Sequence, residues 1–306
     1  MNRSFEHNGE INRARCMPQN PNIVATKGPA PELFLYDIGV EGDSKREQPV
    51  LKLTGHEKEG YGLAWNPNNQ GVLLSGSDDG VVCVWDVENS TSLTGPSHTQ
   101  DARRKFTAHT DIVEDVAWHC TSRNVFGSVS DDKTLMLWDD REDGAAPVIS
   151  ATVHTAEVTC LAFNPFNEFI VATGSVDKTA AIWDIRNLKK SLHTLSHIDE
   201  VVQVAWSPRH ETILASSGSD RRLMVWDLSL IGAEQSAADA AEGPPELLFV
   251  HSGHTAKISD FDWSPDEERT ICTVSEDNVL QCWTMGAHVY SDYEPGISEA
   301  DPPVES

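Results

Sequence analysis

The 306-residue sequence predicts an all-β protein assembled from six copies of one supersecondary unit. Three observations carry that expectation. A landmark histidine precedes an aromatic residue by one constant interval in His56 and Trp85, His109 and Trp138, His154 and Trp183, His197 and Trp226, and His254 and Trp283; a worn copy has His7 and Tyr36. Fixed positions inside the interval repeat: a hydroxyl (Thr26, Ser75, Ser128, Thr173, Ser216, Thr273), then an acid (Asp79, Asp132, Asp177, Asp220, Asp277) that becomes Ala30 in the worn copy. Between copies the spacing is loose, as expected where insertions are confined to loops joining fixed units.

Taken in order, each copy reads as short strands separated by turns. In the first, Ile23–Thr26 and Leu33–Tyr36 flank a turn-rich segment. A charged loop over 39–48 leads to an alternating strand, Pro49–Thr54. In the second, Val72–Ser75 and Val81–Trp85 are joined by Asp78-Asp79-Gly80, a tight-turn signal, and 88–101 reads as a polar connector. Thr134–Trp138 and Thr179–Trp183 fit strands covered on both faces. The long insertion Ser229–Glu246 is expected to open with a short helical turn and to break at Gly243-Pro244-Pro245, otherwise forming a mobile surface segment. Residues 1–285 are thus expected to form the repeat body, with units near 7–37, 56–86, 109–139, 154–184, 197–227 and 254–284. Residues 286–306 form an acidic, partly disordered tail.

Composition bounds the function. The formal charge is −25 and the pI about 4.7, which argues against direct nucleic-acid binding and favours basic protein or peptide partners. Six cysteines without a C-x-x-C pair are expected to be free, largely buried thiols of a reducing compartment. No apolar run is long enough to span a membrane, and the N-terminus lacks the apolar segment of a signal peptide, so an intracellular, soluble protein is expected. Every full unit holds Ser/Thr, His and Asp, the residue types of a hydrolytic triad. A nucleophile is wanted once, at one cleft, whereas this set recurs with its aromatic in every unit, so it is read as structural. The histidines belong to separate units and do not converge as a metal site requires. No phosphate-binding glycine loop is present. No enzyme activity, cofactor, metal or small-molecule substrate is expected.

Binding residues should repeat without serving the frame. Three positions after the landmark histidine stand Glu10, Glu59, Glu157 and Glu200, with Lys257 in the sixth unit and the acids displaced to Asp111 and Glu114 in the third. Asp78, Asp131 and Glu276 precede the turn acid on the same expected face. Asn12 and Tyr61, five after their histidines, add hydrogen bonding and packing. A one-sign concave surface of this kind focuses field on a basic peptide, whereas any single Glu is ordinarily only solvated surface.

The Gly-His and Trp-Asp frame resembles the WD-repeat β-propeller family, over nearly the whole chain. Segments EINRARCMPQNP, GHEKEGYGLAWNP, HTAEVTCLAFNPFNEFIVATGS and EGPPELLFVHSGHTAKISDFDWSP are similar to the retinoblastoma-associated histone-binding members, the Msi-like small subunit of chromatin assembly factor. That resemblance implies a non-enzymatic nuclear scaffold. Its implied partners are core histones and subunits of chromatin assembly, remodelling, deacetylase or Polycomb-type complexes. The family's N-terminal helix and first blade precede EINRARCMPQNP and have no counterpart here, so six blades of a seven-bladed parent and imperfect ring closure are expected. The same helix grips histone together with an acidic loop, represented here by Glu234, Asp239 and Glu242. An alternative rests on W-D-x-R at Trp138–Arg141 and Trp183–Arg186, which resembles the docking motif of substrate receptors on cullin-based ubiquitin ligases, through Arg141 and Arg186. A glutamate-rich ribosome-assembly relative should carry a long glutamate tract, and none is present.

Overall fold

A computed structural model describes residues 5–7, 9–39, 48–88, 98–142, 146–286 and 289. The described residues form six sheets arranged in sequence order, antiparallel apart from one parallel edge pairing in the first. In the first, β1 (Arg13–Met17), β2 (Asn20–Lys27), β3 (Leu33–Asp37) and β4 (Leu51–Thr54) run outward from the axis. β5 (Leu63–Trp65), β6 (Val72–Gly76) and β7 (Val82–Asp86) begin the second. β8 (Thr99–Asp101) then returns to pair parallel with β4, and β9 (Arg104–Phe106) completes the second sheet. The third sheet is β10 (Val113–Trp118), β11 (Val125–Ser130), β12 (Thr134–Asp139) and β13 (Ile149–Thr152). The fourth is β14 (Val158–Phe163), β15 (Ile170–Ser175), β16 (Thr179–Asp184) and β17 (His193–Ser196). The fifth is β18 (Val201–Trp206), β19 (Ile213–Gly218), β20 (Leu223–Asp227) and β21 (Leu247–His251). Among the described residues the sixth has three strands, β22 (Ile258–Trp263), β23 (Thr270–Ser275) and β24 (Leu280–Thr284).

Expected and observed strands agree closely, with two corrections. The connector expected over 88–101 contains β8, held where Gln100 Nε2 donates to Asp86 O at 2.7 Å and Thr54 Oγ1 to Gln100 O at 3.3 Å. The cysteines are not all free: Cys272 and Cys282, directly opposite on β23 and β24, form a disulfide, and Cys16 is exposed; Cys83 and Cys160 are buried thiols as expected. The insertion does begin with a helical turn, Leu228–Leu230, and adds a one-turn helix, α1 (Asp239–Glu242), whose Asp239 N donates to Ser236 Oγ at 3.2 Å. Expectations for 40–47, for 89–97, for residues 1–4 and for most of the acidic tail fall outside the described residues.

The repeated polar residues hold each turn between second and third strands. That turn needs a left-handed residue after the acid, supplied by Gly80 (φ 75°) but elsewhere by Lys133, Lys178, Arg221 and Asn278 (φ 62–69°). A left-handed conformation is costly for a side chain with Cβ, and the acid offsets it by accepting from the backbone two residues on: Thr134 N–Asp132 Oδ1 is 3.0 Å and Val279 N–Asp277 Oδ1 2.9 Å. The other carboxylate oxygen meets the landmark histidine, 2.8 Å in His109–Asp132 and 3.0 Å in His154–Asp177. The same histidines reach Ser128 and Thr173 at 2.7 Å, and Trp138 and Trp183 donate to those hydroxyls.

Only the third and fourth sheets complete this four-residue chain, and each departure has a visible cause. In the fifth, Gly218 stands where Ser77, Ser130, Ser175 and Ser275 tether the turn. Asp220 falls short, and His197 Nδ1 and Asp220 Oδ2 are buried without hydrogen bonds, the latter 3.8 Å from Arg222 Nε. In the second, the buried Lys27 ammonium takes Ser75 Oγ at 2.7 Å, and Trp85 donates instead to Thr54 O at 3.1 Å. In the sixth, Trp283 stacks on His251 with centroids 4.3 Å apart, and its indole N–H is buried without a partner. Burial raises the Asp177 carboxyl, but bonds from Thr179, Thr155 and His154 outweigh it and hold the group below the usual range. Asp177→Ala is therefore expected to cost about 1–3 kcal/mol, seen as a lower denaturation midpoint with peptide binding retained.

The core lies between sheets rather than within them. Five apolar clusters fill the five successive junctions from the first sheet to the sixth. Inner-strand tryptophans latch four sheets to the one before, with Phe163 at that position in the fourth: Trp65 donates to Arg15 O (2.8 Å), Trp118 to Ala64 O (3.2 Å), Trp206 to Ala162 O (3.0 Å) and Trp263 to Ala205 O (3.1 Å). The junction from sixth back to first differs. Cys16 replaces the latching tryptophan, and Arg15 and Asp262 stand where the inner strands of the four middle sheets carry Ala64, Ala117, Ala162 and Ala205. There Arg15 donates to Asp260 at 2.8 Å. Among the described residues no apolar cluster spans this junction. Phe5 and Glu6 pack instead on Tyr36 of the first sheet. The described contact across this junction is thus polar where the other five are apolar.

Candidate functional site at the mouth of the channel

The inner strands β1, β5, β10, β14, β18 and β22 surround the axis. At one end, called the top, the residue three after the landmark histidine is fixed by its carbonyl, which accepts the amide of the residue preceding the turn acid. Asp78 N–Glu59 O is 2.9 Å, Val176 N–Glu157 O 3.0 Å, Ser219 N–Glu200 O 2.9 Å and Glu276 N–Lys257 O 3.0 Å. Side chains at these two positions are therefore set side by side on one rim. In the third sheet Ile112 takes the first position, and Asp131 N donates to its carbonyl at 3.1 Å.

Inside the rim lies a cavity of ≈ 410 Å³. Seven of the sequence-derived candidates line it: Glu10, Asn12, Tyr61, Glu114, Glu200, Lys257 and Glu276. Glu59, Glu157 and Asp131 stand beyond its lining, yet close enough to act electrostatically: Glu59 on Tyr61 and Asp78, and Glu157 on Asp131. The acidic loop is not part of this site. Glu234, Asp239 and Glu242 are exposed on the insertion after the fifth sheet. Arg141 and Arg186 are exposed, and each folds back bidentately on the aspartate of its own motif, with Arg141–Asp139 and Arg186–Asp184 both 2.6 Å; Arg186 also lies 4.2 Å over the Phe169 ring.

The sequence reading found the acids and named Asn12, Tyr61 and Glu114 on the cavity wall, but missed Thr159, Val202 and Ser259 at the same position. Asn12, Tyr61, Glu114, Thr159, Val202 and Ser259 all occur five residues after their histidines, and all six line the cavity. In four sheets this residue is the extra one of a β-bulge, at Val113/Asp115, Val158/Cys160, Val201/Gln203 and Ile258/Asp260. A bulge re-aims its side chain, here toward the axis. The signal was available as a constant register, but the residue types vary too much to announce it. Arg13 was also missed: it enters the cavity from below and pairs with buried Asp115 across the channel at 3.1 Å. Asp115 in turn accepts Leu161 N at 3.2 Å, tying the first, third and fourth sheets.

The carboxylates crowd one another. Burial, then Asp131, Asp78 and Asp115, pushes Glu114 up to about 7. Burial, then Asp111, Glu157 and Asp78, raises Asp131 to about 6. Tyr61, 46% exposed, has its phenol raised by burial and by Glu59 and Glu114. A cation entering here meets carboxylates that gain charge as it arrives, beside one exposed aromatic face.

Six sheets around a channel, with negligible helix, make this an all-β propeller with six blades. Five segments, 47–86, 100–139, 146–184, 189–227 and 245–284, match the family model described as WD domain, G-beta repeat. These segments span well over half of the chain, and the protein belongs to the WD40 repeat family, whose propellers serve as protein-interaction scaffolds. The worn first unit lies outside those matches yet folds as a full sheet. Among solved structures, a chain of "Crystal Structure of Mitotic Checkpoint Complex" is similar with a TM-score of 0.69 and 21% identity, over 89% of this chain and 73% of that one; this likeness concerns the fold. No helix among the described residues is long and apolar enough to cross a membrane.

Proposed function

We propose that this propeller is a non-enzymatic, histone-binding scaffold subunit of nuclear chromatin assembly, remodelling, deacetylase or Polycomb-type complexes, and that its top rim takes an unstructured Arg/Lys-rich histone segment. The observation that carries this reading is the convergence of Glu10, Glu114, Glu200 and Glu276 on one cavity, with Glu59, Glu157 and Asp131 around it. Arg pairs bidentately with carboxylate, which supplies geometry as well as charge, and a one-sign concave rim raises the local concentration of a basic ligand. The family resemblance adds the identity of the ligand. The ligase reading is weaker, because Arg141 and Arg186 are both engaged by their own aspartates.

Reversing Glu59 and Glu157 to Lys should weaken a basic histone-tail peptide roughly tenfold while leaving the melting midpoint nearly unchanged. Fluorescence anisotropy at low and moderate salt measures this, and affinity must fall with salt because exposed ion pairs are screened. Indifference to both reversals and salt would reduce the rim to solvated surface. Recovery of the ligase adaptor rather than histone in a pull-down would favour the W-D-x-R reading.

The site also predicts a pH dependence. Glu114 and Asp131 carry raised pKa values, so both are substantially protonated below pH 6 and charged by pH 8. Binding of a permanently charged Arg peptide should therefore strengthen between pH 6 and 8, by roughly three- to tenfold. Glu114→Gln should flatten the profile; an equally steep profile in that variant would remove Glu114 from the site.

A further inference from the structure

Among the described residues the sixth sheet ends at β24, whereas every other sheet carries a further strand at the same edge: β4, β9, β13, β17 and β21. Those five strands show what chemistry fits there. They are short, and apolar residues point inward: Leu51 and Leu53, Phe106, Ile149 and Ala151, Leu195, and Leu247 and Phe249. β24 lacks the devices that usually blunt an exposed edge. Its sequence, LQCWT, has no proline and no charge, and its register with β23 is regular.

The side chains beside this edge are correspondingly bare. Leu280 is 65% exposed; its counterparts Leu33, Val82, Leu135, Ala180 and Leu223 are all at 0%. Val274 and Val279 are also exposed, and Trp283 keeps a buried indole N–H without an acceptor. No described residue covers this edge, and its apolar character has no role in the frame.

We propose that the edge of β24 takes a fourth strand from a partner polypeptide, an extended segment of four or five residues with large apolar side chains at alternate positions. Main-chain hydrogen bonds to β24 would supply the pairing, and the alternate side chains would cover Leu280, in the manner of β-strand addition. The edge is the third strand out from the channel, so partner and basic peptide can bind together, and the proposal stands apart from the reading of the rim.

The probe is a labelled peptide of this chain's own outer strand, residues 245–252 (PELLFVHS), titrated against the full chain. Saturable binding is expected, with at least about tenfold slower hydrogen exchange at the amides of 280–284. Backbone N-methylation of the peptide at alternate residues removes strand-pairing donors and should weaken it roughly tenfold or more. Leu280→Lys, a change at an exposed side chain that leaves the fold intact by circular dichroism, should do the same. Absent binding, or binding indifferent to N-methylation or to Leu280→Lys, overturns the proposal. So does protection of 280–284 in the protein alone: in a monomer the chain's own residues would then hold the edge, and in a dimer a second copy would.

Discussion

Trp138→Ala is expected to destabilise the protein by about 3–5 kcal/mol, the range for truncating a buried aromatic. Trp138 is fully buried at the junction of the second and third sheets, stacked on Phe126 and edge-on to Phe106, and its indole N–H donates to Ser128 at 2.8 Å. Truncation removes apolar contacts on both sides of a junction and leaves Ser128 with one bond fewer. Trp283→Ala supplies the internal comparison. Trp283 is only half-buried and its N–H has no acceptor, so its loss should cost well under half as much. Equal shifts of the urea midpoint for the two variants would show that packing between sheets does not dominate stability.

Lys27 is expected to give stability an alkaline slope. Its ammonium is fully buried between the first and second sheets, donating to Ser75 Oγ at 2.7 Å and Gly76 O at 2.6 Å. Burial lowers its pKa to about 7, against attraction from Cys83, Asp79 and Asp78, whereas the unfolded chain holds it near 10.5. Between those values the unfolded chain binds a proton that the folded chain does not, so stability rises with pH across that window. Below pH 7 both states are charged and the folded state bears the whole cost of burying the cation. Lys27→Met, similar in length and apolar, should therefore lack the slope. The difference between wild type and variant should change by on the order of 2–4 kcal/mol from pH 7 to pH 10, measured by urea denaturation at each pH. Parallel curves would mean that the lysine stays charged throughout.

The sequence made the architecture legible because the landmark residues are structural necessities of each unit. His154, Asp177, Thr173 and Trp183 form one bonded chain, and a constant spacing is the only way to write that chain repeatedly. The failures of the chain were less legible. Gly218 for serine leaves Asp220 short of His197, a consequence that depends on tertiary geometry rather than on composition. Lys27 reads as one surface lysine among many until its neighbour across the junction is known. At the rim, Glu10 and Glu200 were legible because like residues repeat in one register. Thr159, Val202 and Ser259 were not, because a bulge selects a position without selecting a residue type. The disulfide was missed because Cys272 and Cys282 become neighbours only through strand register.

The substitution of Cys16 for a latching tryptophan, with Arg15 and Asp262 beside it, reaches beyond its own junction. A closed ring has no terminus: every blade is braced on two sides, and loosening one means breaking two contacts. Among the described residues, the first and sixth blades are braced by apolar packing on one side only and linked to each other by the Arg15–Asp260 pair. Energetically the protein is then a linear array bent into a circle, whose stability is a sum of neighbour terms with two frayed ends. Unfolding is then expected to start at those ends, with the third and fourth blades, whose bonded chains are complete, last to open, an order that hydrogen exchange blade by blade measures.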